Sequence, residues 1–191
     1  HKFNLFYFNR YFKKKDKSFL KNLKIFIKKN NIDLILNFAE DNNNYYKNND
    51  FDKILESNFY LPISLIRLAN LFKIPLFLFL SKDKDKNNQV KNFYSISKEM
   101  LNTYINNDKF KCKLRLLNID SLYGPLDLNK SRIFPSIFYN LYNKNKIKIN
   151  FKQTKHFTYV KNLNKVIFNL IFKKKHFIYK SIRSEKININ I

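Results

Sequence analysis

Residues 75–80, PLFLFL, limit the fold more than any other stretch of this chain. Six apolar residues without a polar interruption are too few for a stable helix, and two of them are Phe. A run of this kind is a strand covered on both faces, which calls for a parallel sheet with helices above and below it. Ser81 stands where the strand ends, a polar stretch follows, and Tyr94-Ser-Ile-Ser-Lys98 leads into an amphipathic segment. The spacing predicts a helix over 95–107, and on a helix Tyr94 and Lys98, four apart, share a face. A serine, a tyrosine and a lysine then converge at the carboxyl edge of a sheet, where open α/β folds place their ligands.

The rest of the chain alternates in the same way. Apolar residues at helical spacing (Phe19, Leu20, Leu23, Phe26, Ile27) predict a helix from Ser18, and 33–38, DLILNF, is a second short buried strand. An Asn-rich loop over 41–50 precedes a helical pattern over 51–72, which Pro62 is expected to kink or to start late. Strands are expected at 112–117, 147–149 and 157–160, with β-like pieces at 176–179 and 187–191 and a further candidate at 3–8. Helices are expected over 133–142, with Pro135 in the first turn, and from about 162 to 172. Tyr123-Gly124-Pro125 must turn, because it joins the only glycine to a proline. Strand and helix in alternation make βαβ units, an α/β fold with a parallel sheet.

Charge is the feature most easily misread. The 191 residues carry a formal net charge of +24, a pattern that suggests a nucleic-acid surface. Yet of 38 basic residues only Arg10, Arg67, Arg115, Arg132 and Arg183 are arginines, whereas a nucleic-acid surface favours Arg for bidentate contacts. Lys, Asn, Ile, Phe and Tyr are abundant; Gly, Ala, Pro and Arg are scarce. The first group has AT-rich codons and the second GC-rich ones, so genomic base composition accounts for the balance. A basic nucleic-acid-binding module is the alternative, and it requires a contiguous lysine face with strongly salt-dependent affinity. Cys112 is the lone cysteine, and His1, His156 and His176 are scattered, so neither a disulfide framework nor a zinc cluster is expected. No apolar run approaches the ~20 residues that span a bilayer, and no signal peptide is visible, so a cytoplasmic location is expected. A start at His1 rather than Met suggests a fragment.

Tyr-x-x-x-Lys alone is a weak signal in a chain this rich in both residues. Chance supplies about two such pairs, and the sequence has three: Tyr11/Lys15, Tyr94/Lys98 and Tyr142/Lys146. Context separates them, since only Tyr94 follows a buried strand that ends in a serine and only this pair opens a helix of adequate length. An ammonium beside a phenol stabilises phenolate. Such a tyrosine can move a proton to or from a hydroxyl or carbonyl near neutral pH, with a serine hydroxyl holding the same oxygen.

Five segments in order then resemble the extended short-chain dehydrogenase/reductase family, the NAD(P)-dependent nucleotide-sugar epimerases, dehydratases and ketoreductases. Asp33-Leu-Ile-Leu-Asn-Phe-Ala39 is similar to the strand that passes the cofactor, and Glu56-Ser-Asn58-Phe-Tyr-Leu-Pro to the helix after it. Tyr94-Ser-Ile-Ser-Lys98 matches the catalytic pair, Leu122-Tyr-Gly-Pro-Leu-Asp127 the Tyr-Gly-Pro-x-Asp turn, and Gln153-Thr-Lys-His-Phe-Thr-Tyr-Val160 the Gln-x-Arg-Asp-Phe-x-Tyr-Val segment. The short serine-to-tyrosine loop and the turn spacing look closest to the branch that reduces CDP-4-keto-6-deoxyhexoses.

The resemblance implies a partial Rossmann-like parallel sheet over 1–122, with the start of a substrate-binding region over 123–191 interleaved with the last strands. It implies NAD or NADP as cofactor, a nucleotide-sugar substrate, no nucleic-acid or membrane partner, and a possible homodimer. Tyr94, Lys98 and Ser81 would be catalytic. Asn37, Ala39 and Asn58 would join Tyr94 and Lys98 at the cofactor, with Asn58 positioning Lys98 through a water, and Ser121 and Lys155 would meet substrate. The sequence departs from the family by lacking the glycine-rich phosphate loop, which lies upstream of the counterpart of His1. Ser121 stands in place of an Asn, Lys155 of an Arg, and His156 and Asn162 of aspartates. A truncated or decayed, non-catalytic member of the same fold is therefore the rival reading.

Overall fold

The computed structural model describes residue 4 and residues 17–41, 50–81, 93–130, 132–146, 154–172, 179–181 and 185–188. Among them lie seven strands, six α-helices and one π-helical turn, with strand and helix alternating except at two places where one strand follows directly on another. Strands β1 (Ile35–Asn37), β2 (Leu76–Ser81), β3 (Leu114–Ile119) and β6 (Tyr179–Ser181) form one sheet in the order β1-β2-β3-β6, every pair parallel. Strands β4 (Ser121–Tyr123), β5 (Thr154–Tyr159) and β7 (Glu185–Asn188) form a second, in which β4 and β5 are parallel and β5 and β7 antiparallel. The helices are α1 (Lys17–Lys29), α2 (Asp50–Leu55), α3 (Leu61–Phe72), α4 (Phe93–Asn107), α5 (Ile133–Tyr142) and α6 (Val160–Phe172).

The apolar run of β2 is covered on both faces, as expected of a strand inside a parallel sheet. Leu76, Leu78 and Leu80 pack with Leu114 and Leu116 of β3 against Leu23 and Ile27 of α1, Ile66 and Ala69 of α3, and Leu101 and Ile105 of α4. Phe77 points to the other face, among Leu117 and Ile119 of β3 and Leu163, Ile167 and Leu170 of α6. Burying each such side chain contributes about 1.5–3 kcal/mol, so the two-sided strand anchors both layers. Both faces of α4 follow from its pattern: Tyr94, Ser97, Lys98, Leu101 and Ile105 recur at helical spacing and are its buried residues.

The helical stretch over 51–72 has a discontinuity just ahead of Pro62. Between α2 and α3 the backbone widens into a π-helical turn, Glu56–Tyr60, after which Pro62 occupies the first turn of α3, where its missing N–H is harmless. Of the expected strand at 3–8 only residue 4 is described, and it lies in no strand; the expected strand at 147–149 lies outside the described residues, as do 176–178 of the penultimate β-like piece and 189–191 of the last. Among the described residues no helix is long and apolar enough to cross a membrane.

Candidate active site

β1 and β2 run parallel, so their carboxyl ends lie side by side. Asn37 is the last residue of β1, opposite Leu78, and Ser81 is the last of β2, opposite Ile119 of β3. Beyond β1 the chain turns on Asn37, whose Oδ1 accepts the Ala39 N–H at 3.2 Å, a local side-chain turn of the kind Asn favours. That turn carries Glu40 and Asp41 towards α4.

Asn58 fixes the end of this segment. It is 1% exposed and sits in the π-helical turn. Its Oδ1 accepts the Asp41 N–H at 3.0 Å, and its Nδ2 donates to the Asp41 carbonyl at 2.8 Å, so one carboxamide grips one residue's backbone through both groups. The same Nδ2 donates to Ser97 Oγ at 3.3 Å, and Ser97 Oγ donates to the Tyr94 carbonyl at 2.7 Å. Ser97 is fully buried. The segment after β1, the π-helical turn and the first turns of α4 are thereby joined by buried, satisfied polar groups, which rigidify what they connect.

Beside this clasp lie the side chains of Tyr94, Lys98 and Glu40. Tyr94 Oη donates a hydrogen bond to Glu40 Oε1, and Lys98 Nζ pairs with the same oxygen at 3.1 Å. Lys98 Nζ also lies 5.6 Å from the centroid of the Tyr94 ring, as a shared helix face requires. Tyr94 and Lys98 are buried, whereas the Glu40 side chain keeps 31% of its surface exposed. A buried ammonium is tolerable only with a counter-charge, and Glu40 supplies it. The arrangement offers two donors and a carboxylate at the carboxyl edge of a parallel sheet, and it can bind a hydroxyl-bearing ligand and move a proton at the Tyr94 oxygen.

Sequence reasoning singled out Tyr94, Lys98, Asn58 and Asn37 but gave no role to Glu40 or Ser97. Glu40 had a signal: it is one of only 14 acidic residues and stands three positions after a strand end, on the edge where ligands bind. Ala39 lies exposed between Asn37 and Glu40. Ser121 and Lys155 fall in the second sheet. Ser121 is exposed and opens β4 opposite Phe157, and Lys155 lies in β5 opposite Ile187 of β7. Beside them Tyr123 stacks on Phe134 of α5 with ring centroids 4.5 Å apart, and it also meets Tyr159 at 5.4 Å.

Solved structures share this architecture. A dTDP-glucose 4,6-dehydratase from Streptomyces venezuelae, crystallised with NAD, superimposes with a TM-score of 0.71 at 12% identity, over 88% of this chain and 57% of that one. A UDP-N-acetylglucosamine 4-epimerase from Methanobrevibacter ruminantium, in complex with UDP-N-acetylmuramic acid, gives 0.71 at 16% identity, over 87% of this chain and 60% of that one. A mutant UDP-glucuronic acid 4-epimerase from Bacillus cereus, with a fluorinated UDP-glucuronic acid and NAD, gives 0.71 at 15%, over 89% and 59%. The chain thus spans somewhat more than half the length of these proteins. No curated protein sequence matches it significantly. Residues 11–180 match the family model described as "NAD dependent epimerase/dehydratase family". The chain belongs to the NAD dependent epimerase/dehydratase family.

Proposed function

We propose that this chain forms the active-site portion of an enzyme that uses NAD or NADP to act on the 4-position of a nucleotide-linked hexose. The observation that carries the reading is the buried Tyr94/Lys98 pair, bridged by one carboxylate oxygen at the carboxyl edge of the parallel sheet. The donor set fits both ligands: Lys98 Nζ offers a donor to the cofactor's ribose diol, Tyr94 Oη faces the reacting sugar oxygen with Glu40 beside it as an acceptor, and Asn58 fixes the segment that carries Glu40. The cofactor, when bound, supplies the hydride chemistry. In the proposal Tyr94 exchanges a proton with the sugar oxygen at C4, so the phenolic O–H breaks as the substrate O–H forms, or the reverse. Lys98 stabilises the phenolate left behind. Ser81, at the end of β2, orients the same oxygen, and Asn37 and Ala39 line the cofactor's path. Ser121 and Lys155, on neighbouring strands of the second sheet, meet the substrate and its diphosphate.

The structural neighbours named above bind NAD or UDP-sugars, which supports the substrate class. Within it, the short stretch between Ser81 and Tyr94 and the Tyr123-to-Asp127 spacing favour reduction of a CDP-4-keto-6-deoxyhexose over epimerisation or dehydration. The rival reading, a non-catalytic member of the family, draws on the substitutions at Ser121, His156 and Asn162.

Removal of the phenolic oxygen tests the proposal. Tyr94→Phe is expected to lower kcat on a nucleotide 4-ketosugar by about 10²–10⁴-fold, the range of general acid–base catalysis, with little change in cofactor affinity. Turnover equal to the unsubstituted protein removes the assignment. Absence of turnover and of nicotinamide-cofactor binding in the unsubstituted chain favours the non-catalytic reading.

A further inference from the structure

The Tyr94/Lys98 pair is not open to solvent on equal terms for every ligand, because Glu40 stands over it. Both contacts of Glu40 fall on Oε1: the hydrogen bond from Tyr94 Oη and the 3.1 Å pair with Lys98 Nζ. The second carboxylate oxygen, Oε2, belongs to a side chain with 31% of its surface exposed, over partners that are buried. Among the described residues nothing else is bonded to it. The position is fixed, since Asn58 grips the backbone of the very next residue and Asn37 closes the turn just before.

Two consequences follow from charge alone. A ligand that reaches the Tyr94 oxygen meets an anionic acceptor beside it, which favours neutral hydroxyls and opposes a second carboxylate or phosphate. Without Glu40 the same place would present an uncompensated buried ammonium, which attracts anions. We infer that Glu40 is a specificity-determining residue: it accepts a hydrogen bond from a neutral sugar hydroxyl and excludes sugars with an anionic group next to the reacting carbon. If, as proposed above, the 4-position sits at Tyr94, the group excluded is the C6 carboxylate of a hexuronate, because C6 is carried by the adjacent C5. The substrate is then a neutral nucleotide-linked hexose or its 6-deoxy derivative. This substrate assignment rests on the proposed function; the charge filter at Lys98 does not.

Acylation of Lys98, read by peptide mass spectrometry and normalised to other lysines of the same chain, tests both. Glu40→Gln is expected to raise Lys98 labelling several-fold, and to raise it at least threefold more with a sulfonated acylating ester than with its neutral counterpart. Equal or unchanged labelling with the two reagents overturns the inference. In the unsubstituted chain with NAD present, CDP-glucose is expected to protect Lys98 at concentrations at least tenfold below those needed for CDP-glucuronate, and Glu40→Gln should bring the two together. Equal protection by both sugars in the unsubstituted chain overturns the inference even if Glu40→Gln fails to fold. Protection by neither sugar, with labelling as expected, removes the nucleotide-sugar reading and the substrate assigned here, while the charge filter stands.

Discussion

At Lys73 the backbone ends α3 in the left-handed region, with φ 56°, and its N–H caps the Ala69 carbonyl. Glycine is the usual residue there, because a Cβ costs about 1–2 kcal/mol in that conformation. This chain spends its single glycine elsewhere, at Gly124, where φ is +154° and an added Cβ would lie 2.5 Å from Val160 Cγ1, at the start of α6. The two positions therefore respond in opposite directions. Lys73→Gly is expected to stabilise the fold by about 0.5–1 kcal/mol, the relief of strain less glycine's extra chain entropy. Gly124→Ala is expected to destabilise it by about 1–3 kcal/mol through overpacking and backbone strain. Urea unfolding of both variants checks the pair, and a gain at Gly124 or a loss at Lys73 would contradict the backbone geometry. The same scarcity hides turns from sequence reasoning: Asn31, Leu126 and Lys144 also hold positive φ, and none of them is a glycine to announce it.

Between elements, the junction of β3 and α6 depends on a buried cation. Arg115 is 7% exposed, lies 5.0 Å from the Phe77 ring centroid, and donates through a guanidinium nitrogen to the Leu170 carbonyl at 2.6 Å. Leu170 lies in the last turn of α6, where carbonyls have no partner within the helix and the dipole favours positive charge. Burial pushes the Arg115 guanidinium below its usual range, yet arginine remains charged at any ordinary pH. Arg115→Met keeps the apolar stem but orphans the helix end, and it should cost about 1–3 kcal/mol in urea unfolding, whereas Arg115→Lys should cost less. A neutral result for the Met variant would mean that packing alone holds α6. Sequence patterning placed β3 and α6 to within a few residues but said nothing of this contact, because a lone Arg in an apolar strand reads as a surface position. The π-helical turn was equally hidden. Its extra residue is justified by the tertiary partners of Asn58, and periodicity registers only the nearby Pro62.

Across the whole molecule, legibility followed sequence distance. The parallel sheet could be read because burial on both faces of β2 is written in six consecutive residues, and Tyr94 with Lys98 because a helix turn brings neighbours together. Glu40 is marked only by its place after β1, and its partner could not be read, because the bond to Tyr94 spans 54 positions and depends on where the chain leaves β1. Charge is the remaining global property with a physical consequence. Only 14 acidic residues stand against 38 basic ones, so the folded state carries a large positive excess and repels itself. The Debye length shrinks from about 20 Å near 20 mM salt to about 6 Å near 0.3 M, which weakens this repulsion more in the compact state than in the expanded one. Raising NaCl over that range is therefore expected to stabilise the protein by about 1–2 kcal/mol, or roughly 3–6 °C in Tm for a chain of this size. A Tm that falls with salt would show instead that ion pairs such as Lys98–Glu40 outweigh the repulsion. The same titration bears on the origin of the charge. A lysine surface produced by base composition gives weak nucleic-acid binding that vanishes near 0.2 M salt, whereas a dedicated site would retain sequence preference there.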